Sequence, residues 1–508
     1  MIFFAGASIV ALVGSCIASP GYLKLDLHKR APLATRLVRR QGSGGSFVAV
    51  LTPNREIEYL VNITVGTPPQ ALAVTLDTGS SDLWIPAASA PLCKKGQCDF
   101  GSFDPSSSST YQLVEQAGFN ITYAAPGDTD AGDWGSDTIT INGSSPINNQ
   151  QIGVASVLVD QHGVMGVGYD TNEAKNDGPN GVYQSVMDNL VKSGIIHRKA
   201  FSLYLNGLGA STGSIILGGI DTTKYSGDLV ALPLQPSQDG LVKEYYVTLT
   251  GVSFTDATGE TTELSPQGYS QATLLDSGTT NTFLTNDIFT PLALGFGAVL
   301  DAEGTGAYLI PCGLSGGNGT ISYSFGGEGG ITISVPLANI VGGQIYTPEN
   351  FDDPSGGCML AMETTRESSG FSILGDSFLR SAYAVFDLEN QVAALGQADE
   401  NKASTSNIVV IPTGTAVPRA TATATATGTQ LTAITAETQV PEASFSRSSL
   451  VLAGTPTFNL GISSSTRTAG SGPSSFGYSG AGSSHGCPDS GSTGTGSGSR
   501  SHRALATN

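Results

Sequence analysis

Two short stretches of this 508-residue chain carry side chains that could do chemistry together. Leu76-Asp77-Thr78-Gly79-Ser80-Ser81 recurs as Leu275-Asp276-Ser277-Gly278-Thr279-Thr280. Each copy follows an aliphatic run, so each aspartate opens a tight turn at the end of a strand, where Gly79 and Gly278 allow close backbone approach. A second repeated element lies downstream of each copy: Val164-Met165-Gly166 in the first half and Ile373-Leu374-Gly375 in the second. The two halves therefore run in step, and two similar lobes would bring Asp77 and Asp276 together on a pseudo-twofold axis. Adjacent carboxyls cannot both ionise cheaply, so they share a proton and titrate as a pair. The ionised member can take a proton from a water held between them while the protonated member polarises a carbonyl. Thr78 and Ser277 offer hydroxyls that can brace one loop against the other, and Ser80 and Thr279 stand where they can donate to the carboxylates. Such a site requires no nucleophilic side chain, metal or cofactor.

The elements that must hold this pair are strands. Tyr59-Leu-Val-Asn-Ile-Thr-Val65 and Ala71-Leu-Ala-Val-Thr-Leu76 are β-branched and aliphatic, and Gly66-Thr-Pro-Pro-Gln70 between them is a turn signal. The 66 glycines and 25 prolines suit many turns, and the 13% of charged residues is low, so the chain reads as all-β and not as a helical bundle. Helical spacing is best over Val182–Val191, with Gly194 as the stop. The formal charge of −19 excludes the basic footprint that nucleic-acid binding needs.

Residues 1–18 form an apolar run ending in small residues, which predicts a secretory signal peptide. No other segment has the ~18 apolar residues of a membrane-spanning helix. Residues 19–40 contain Lys29-Arg30 and Arg39-Arg40 and are expected to be a removable propeptide; Gly42-Ser-Gly-Gly-Ser46 is a flexible joint. A folded two-lobed domain is expected over 47–400, with lobes at about 55–225 and 226–398. Residues 401–508 are rich in Ser, Thr and Gly and are expected to form a disordered, O-glycosylated tail. Cys93, Cys98, Cys312 and Cys358 fall within the domain. Three connectivities are open, and the expected one joins Cys93 to Cys98 and Cys312 to Cys358, each pair within one half. Clustered histidines and CxxC pairs are lacking, so no metal site is expected.

With these motifs in place, the chain resembles the pepsin family of aspartic endopeptidases over about residues 55–398. That family is the known setting of the shared-proton aspartate pair. Asp82-Leu-Trp84-Ile-Pro86, Ala200-Phe-Ser-Leu-Tyr-Leu205, Gly213-Ser-Ile-Ile-Leu-Gly-Gly-Ile-Asp221, Phe371–Arg380 and Tyr383-Ala-Val-Phe-Asp387 carry the resemblance beyond the two aspartate loops. It implies the bilobal pepsin-like fold, with Asp77 and Asp276 catalytic and Thr78, Gly79, Ser80, Ser277, Gly278 and Thr279 supporting them. It also implies a hairpin flap over the cleft bearing Tyr123, which would close the site against water. Ala124-Ala-Pro-Gly-Asp128 departs from the family's pattern at the flap tip.

The close Cys93/Cys98 pair, Asp133-Trp134-Gly135 and the Ser/Thr-rich tail resemble the fungal yapsin-like branch. Members of that branch are often held at the cell surface by a lipid anchor, but this sequence ends without the hydrophobic signal that one needs. The expected protein is a secreted, wall- or surface-associated monomer that cleaves protein or peptide substrates at acid pH and binds pepstatin-type inhibitors. The branch often cleaves beside Lys or Arg, and Glu58, Asp128 and Asp130 are the candidate carboxylates for that preference. Asn62, Asn120, Asn142 and Asn318 head glycosylation sequons. The rival reading is an inactive binding or inhibitor homologue on the same fold. Both aspartates and their hydroxyl neighbours would not be expected intact in such a protein.

Overall fold

The computed structural model describes residues 21–29, 36–41, 47–52, 59–123, 129–159, 161–175, 182–210, 212–237, 239–302, 304–365, 372–400, 406–423, 440–443 and 453–461. Strands dominate, and the longest helix among these residues, Asn286–Gly295, has ten residues. The architecture is the expected all-β, bilobal one.

One three-strand device occurs twice. In the first half Tyr59–Val65 pairs antiparallel with Gln70–Asp77, Leu60 standing opposite Thr75. Gln70–Asp77 then runs parallel to Gly163–Gly166, which sets Gly166 beside Asp77. In the second half Tyr246–Thr255 pairs antiparallel with Gln271–Leu275, which runs parallel to Ser372–Leu374 and sets Leu275 beside Leu374. Residues alternate between faces of a strand. Met165 and Leu374 therefore enter the main core, while Val164 and Ile373 point to the opposite face and join smaller clusters there.

A boundary near residue 225 divides the two repeats but not the sheets. A fourteen-stranded sheet joins Ala200–Tyr204 and Thr212–Leu217 of the first half to Ala382–Asp387, Val392–Ala398 and Tyr225–Pro233 of the second. Where the halves meet, Phe201 stacks on Phe386 at 4.8 Å between centroids and Tyr245 packs on Phe386 at 4.6 Å. The Tyr245 hydroxyl also donates to the Val167 carbonyl across that boundary at 2.7 Å.

Three expectations change. The helix expected from Val182 begins at Val186, because Ser185 caps it. Ser185 Oγ accepts from Asp188 N at 3.2 Å while Asp188 accepts from Ser185 N at 3.1 Å, which fixes the start at the capping box. Within the expected propeptide, Leu23–Lys29 is a strand of the large sheet, set between Thr212–Leu217 and Tyr59–Val65. Its Leu23, Leu25 and Leu27 are buried, a period-two pattern masked by the basic residues around it.

The tail, expected to be without packed structure, is packed onto the domain at 406–423, 440–443 and 453–461. Ile408–Val410 pairs with Gly219–Asp221, Ala420–Thr423 lies parallel to Tyr225–Pro233, and Phe458 stacks on Phe254 at 4.4 Å. The buried Arg198 lies 2.8 Å from Asp387 and donates to the carbonyls of Pro412 and Thr415. Short apolar runs such as Ile408-Val-Val-Ile411 supply this packing, and the average composition of the tail hides them.

Candidate active site

The two aspartate loops meet with near-exact twofold symmetry. Thr78 Oγ1 donates to the Leu275 carbonyl at 2.9 Å and accepts from Ser277 N at 2.9 Å. Reciprocally, Ser277 Oγ donates to the Leu76 carbonyl at 3.0 Å and accepts from Thr78 N at 3.2 Å. Each buried hydroxyl thus satisfies one donor and one acceptor of the opposite loop, so the brace holds only when both loops are in place.

Within each loop the carboxylate is oriented by its own turn. Gly79 N donates to Asp77 Oδ1 at 2.8 Å and Ser80 Oγ to Asp77 Oδ2 at 2.5 Å. Gly278 N donates to Asp276 Oδ1 at 2.8 Å and Thr279 Oγ1 to Asp276 Oδ2 at 2.5 Å. The glycines face the opposite carboxyl: a Cβ on Gly79 would stand 2.6 Å from Asp276 Oδ1, and one on Gly278 would fall inside contact distance of Asp77 Oδ1. No side chain fits at either position.

Asp77 and Asp276 are buried, and their carboxyls lie within hydrogen-bond reach of each other. Burial, and after it the negative charge of Asp77, pushes the Asp276 carboxyl well above the ordinary carboxylate range. Two acids in this setting hold one proton between them over a wide pH span.

A family model for eukaryotic aspartyl proteases matches residues 58–398. The chain belongs to the eukaryotic aspartyl protease family. It is 37% identical over 368 residues to Secreted aspartic protease 3 of Candida albicans, covering 70% of this chain and 83% of that protein. It is 36% identical over 435 residues to a protein of Aspergillus oryzae named "Probable aspartic-type endopeptidase opsB", covering 82% of this chain and 86% of that one. Peptide hydrolysis by aspartic-protease chemistry is the activity of this family.

Around the pair, this aspartic protease places Tyr123 at the end of the strand Gln112–Thr122, which pairs with Thr129–Ile141 as a hairpin. The Tyr123 hydroxyl accepts from Trp84 Nε1 at 2.7 Å. Trp84, Phe119, Ile121, Trp134 and Val164 pack beneath it, so the half of the hairpin nearer its turn is anchored on the strand that follows the first aspartate loop. Asp128 and Glu58 lie outside the described residues. Asp130 is buried and accepts from Val159 N at 2.9 Å, on the segment that follows the strand Ile147–Val157.

Sequence reasoning missed a buried acidic network next to this hairpin. Asp82, five residues after Asp77, is buried and accepts from Tyr183 Oη at 2.6 Å and Ala174 N at 2.8 Å. Burial pushes its carboxyl up to about 6. Glu173, also buried, accepts from Tyr183 N at 3.0 Å, and burial pushes it up to about 9. Tyr183 in turn packs on Trp134 at 5.4 Å. The one available signal was an acid, Asp82, leading an apolar Leu-Trp-Ile-Pro run; its partners lie about a hundred residues away.

The disulfides join Cys93 to Cys98 and Cys312 to Cys358. All four sequon asparagines are exposed. Asn62 and Asn120 lie within strands, and both stand on the outward face of their strand's alternation. Among the described residues no group of His, Cys, Asp and Glu could hold a metal ion, and no helix is long and apolar enough to cross a membrane.

Proposed function

We propose that this protein is a secreted, acid-active aspartic endopeptidase in which Asp77 and Asp276 together activate a water against a peptide carbonyl. The observation that carries the reading is two buried carboxyls at hydrogen-bond reach, each held by two donors of its own loop, on loops locked together by the reciprocal Thr78 and Ser277 hydroxyls. The pair holds one proton. Its ionised half takes a proton from the water as oxygen attacks the carbonyl carbon, and its protonated half donates to the carbonyl oxygen. The tetrahedral diol then collapses: the pair passes its proton to the leaving nitrogen as the C–N bond breaks and takes one from a diol hydroxyl, which leaves a carboxylic acid, an amine and the singly protonated pair. Tyr123, held by Trp84, follows the last strand pair before the hairpin turn, where closure would exclude bulk water.

Secretion is supported by the signal-like residues 1–18 and by the secreted relative from Candida albicans. One chain supplies both aspartates, so a monomer suffices. The Leu23–Lys29 strand fits a propeptide that folds with the enzyme and is released after the dibasic pairs; its loss leaves a slot in the large sheet. The tail carries the protein at the wall or surface.

The test is Asp77→Asn and Asp276→Asn, each of which keeps the shape and removes one partner of the shared proton. Both should abolish hydrolysis of an acid-denatured protein substrate while circular dichroism stays unchanged, and a pepstatin-type inhibitor should block the parent enzyme. Retention of more than a small residual rate in both variants would refute the mechanism.

A further inference from the structure

Two of the four sequon asparagines, Asn62 and Asn142, open onto one groove on the outer face of the first lobe. Asn62 stands opposite Ala73, and Thr64 opposite Ala71, on the hairpin that leads to Asp77. Val61, Ile63, Leu72 and Val74 enter the main core, so Asn62, Thr64, Ala71 and Ala73 face outward by alternation. One wall of the groove is formed by residues 99–101, which directly follow the Cys93–Cys98 disulfide. The Phe100 carbonyl in that wall accepts from Ala73 N at 2.9 Å. The other wall is the turn at Asn142 and Gly143, where Asn142 N donates to the Asn62 carbonyl at 2.9 Å. Both walls are thus tied to the same cross-strand pair, Asn62 and Ala73.

The groove has a volume of about 540 Å³, within the ~300–1,000 Å³ of small-molecule sites. Its floor is open because the residues at 71 and 73 are alanines. Phe100 is half-buried and lines it, and its ring is steadied edge-to-face by the buried His162 at 5.9 Å between centroids. Asp99 lines it as an exposed carboxylate, an acceptor for hydroxyl groups. A pyranose has apolar C–H faces and a rim of hydroxyls, so an aromatic side chain beside a carboxylate suits both parts of it. Asn62 rises from the floor between the walls, and anything joined to its Nδ2 must leave through the groove. Asn142 stands on the rim, where a Cβ on Gly143 would meet nothing within 4 Å, and a group joined to Asn142 can extend straight into solvent.

We propose that Asn62 is N-glycosylated and that this groove is a carbohydrate seat for its own glycan. The first N-acetylglucosamine lies over Ala73 and packs against Phe100, and Asp99 accepts from its hydroxyls. The modification joins Asn62 Nδ2 to the sugar's C1 and breaks the bond from C1 to the diphosphate of a lipid-linked oligosaccharide donor. The amide gives up one proton and the lipid diphosphate leaves. Transfer to the unfolded chain precedes strand formation, so the strand around Asn62 does not block it. Once the chain folds, the seated sugar ties the 99–101 wall to the hairpin. The inference rests on the reading that the protein is secreted and not on the aspartate pair.

The full chain secreted from a eukaryotic host tests this. Glycopeptide mass spectrometry should find Asn62 occupied. A form carrying Asn120→Gln, Asn142→Gln and Asn318→Gln then isolates the Asn62 glycan. Enzymatic trimming of that glycan to its first sugar should leave Tm unchanged. Complete enzymatic removal, which leaves Asn62→Asp, should lower Tm by roughly 2–4 °C, the scale of one aromatic contact in a chain of this length. In the Phe100→Ala background the same removal should lower Tm by less than half as much, the Asn62→Asp change being common to both. An equal loss of Tm with and without Phe100, or no loss in either, would overturn the proposal. Should Phe100→Ala fail to fold, Phe100→Leu decides, because it keeps apolar bulk without a ring, and an undiminished loss there refutes the seat. A chain glycosylated at Asn142 or Asn318 but bare at Asn62 refutes the proposal alone. A chain bare at all four sequons refutes the secretory reading as well, a distinct result.

Discussion

The buried acids Asp82 and Glu173 should make the protein unstable as neutrality is approached. Both are fully buried and accept hydrogen bonds, and Asp82, Asp170 and Asp188 add repulsion at Glu173. Their folded values, about 6 and about 9, lie above the ~3.9 and ~4.3 of an unfolded chain. Between the unfolded and folded values the folded state binds more protons, so stability falls as pH rises. The stabilisation is complete below about pH 4; the Asp82 part is lost by about pH 6, and the Glu173 part continues to fall to about pH 9. Taken as independent groups, they cost ~2 kcal/mol for Asp82 and ~3 kcal/mol for Glu173 on going from pH 4 to pH 7. That sum is comparable to the ~5–15 kcal/mol of a typical native protein. At ~2–4 °C per kcal/mol, Tm should fall by roughly 10–20 °C over this range.

Glu173→Gln keeps the size and the acceptor for Tyr183 N but cannot ionise. Its Tm should fall by about half as much as the parent's between pH 4 and pH 7, as the two costs above imply. Glu328→Gln, which removes an exposed acid, controls for the lost charge and should follow the parent. Scanning calorimetry at half-unit pH steps reads the difference. If Glu173→Gln and the parent give parallel Tm curves, the buried acids are not the source of the neutral instability, and the assignment of a raised Glu173 is wrong.

Other perturbations follow from the same contacts. Gly278→Ala would push a methyl into Asp77 and should lower kcat/KM by ~100-fold or more, with the fold retained by circular dichroism; near-parent kinetics would show that the loops are not so closely opposed. Arg198→Ala strands the buried Asp387 carboxylate and frees the 412–415 carbonyls. It should cost ~3–5 kcal/mol in urea unfolding and expose residues 406–423 to limited proteolysis, whereas an unchanged digestion pattern would mean that Arg198 does not hold the tail.

The sequence alone determined what repeats locally. The Asp77 and Asp276 loops, their bracing hydroxyls, the aliphatic-glycine partners and the two cysteine pairs were legible because each is a short pattern stated twice or closed within one half. Alternation on single strands should likewise have shown Asn62 and Asn120 to be outward-facing, as the structure places them. What tertiary structure alone decided involves partners far apart along the chain. Glu173 and Tyr183 meet Asp82 across about a hundred residues, and Arg198 reaches Asp387 and then residues beyond 410. Tyr245 crosses between the halves to Val167, and Leu23–Lys29 finds its slot only once both neighbouring strands exist. Burial, and with it the charge state of Asp82 and Glu173, is set by everything packed around a side chain, and no local pattern records that.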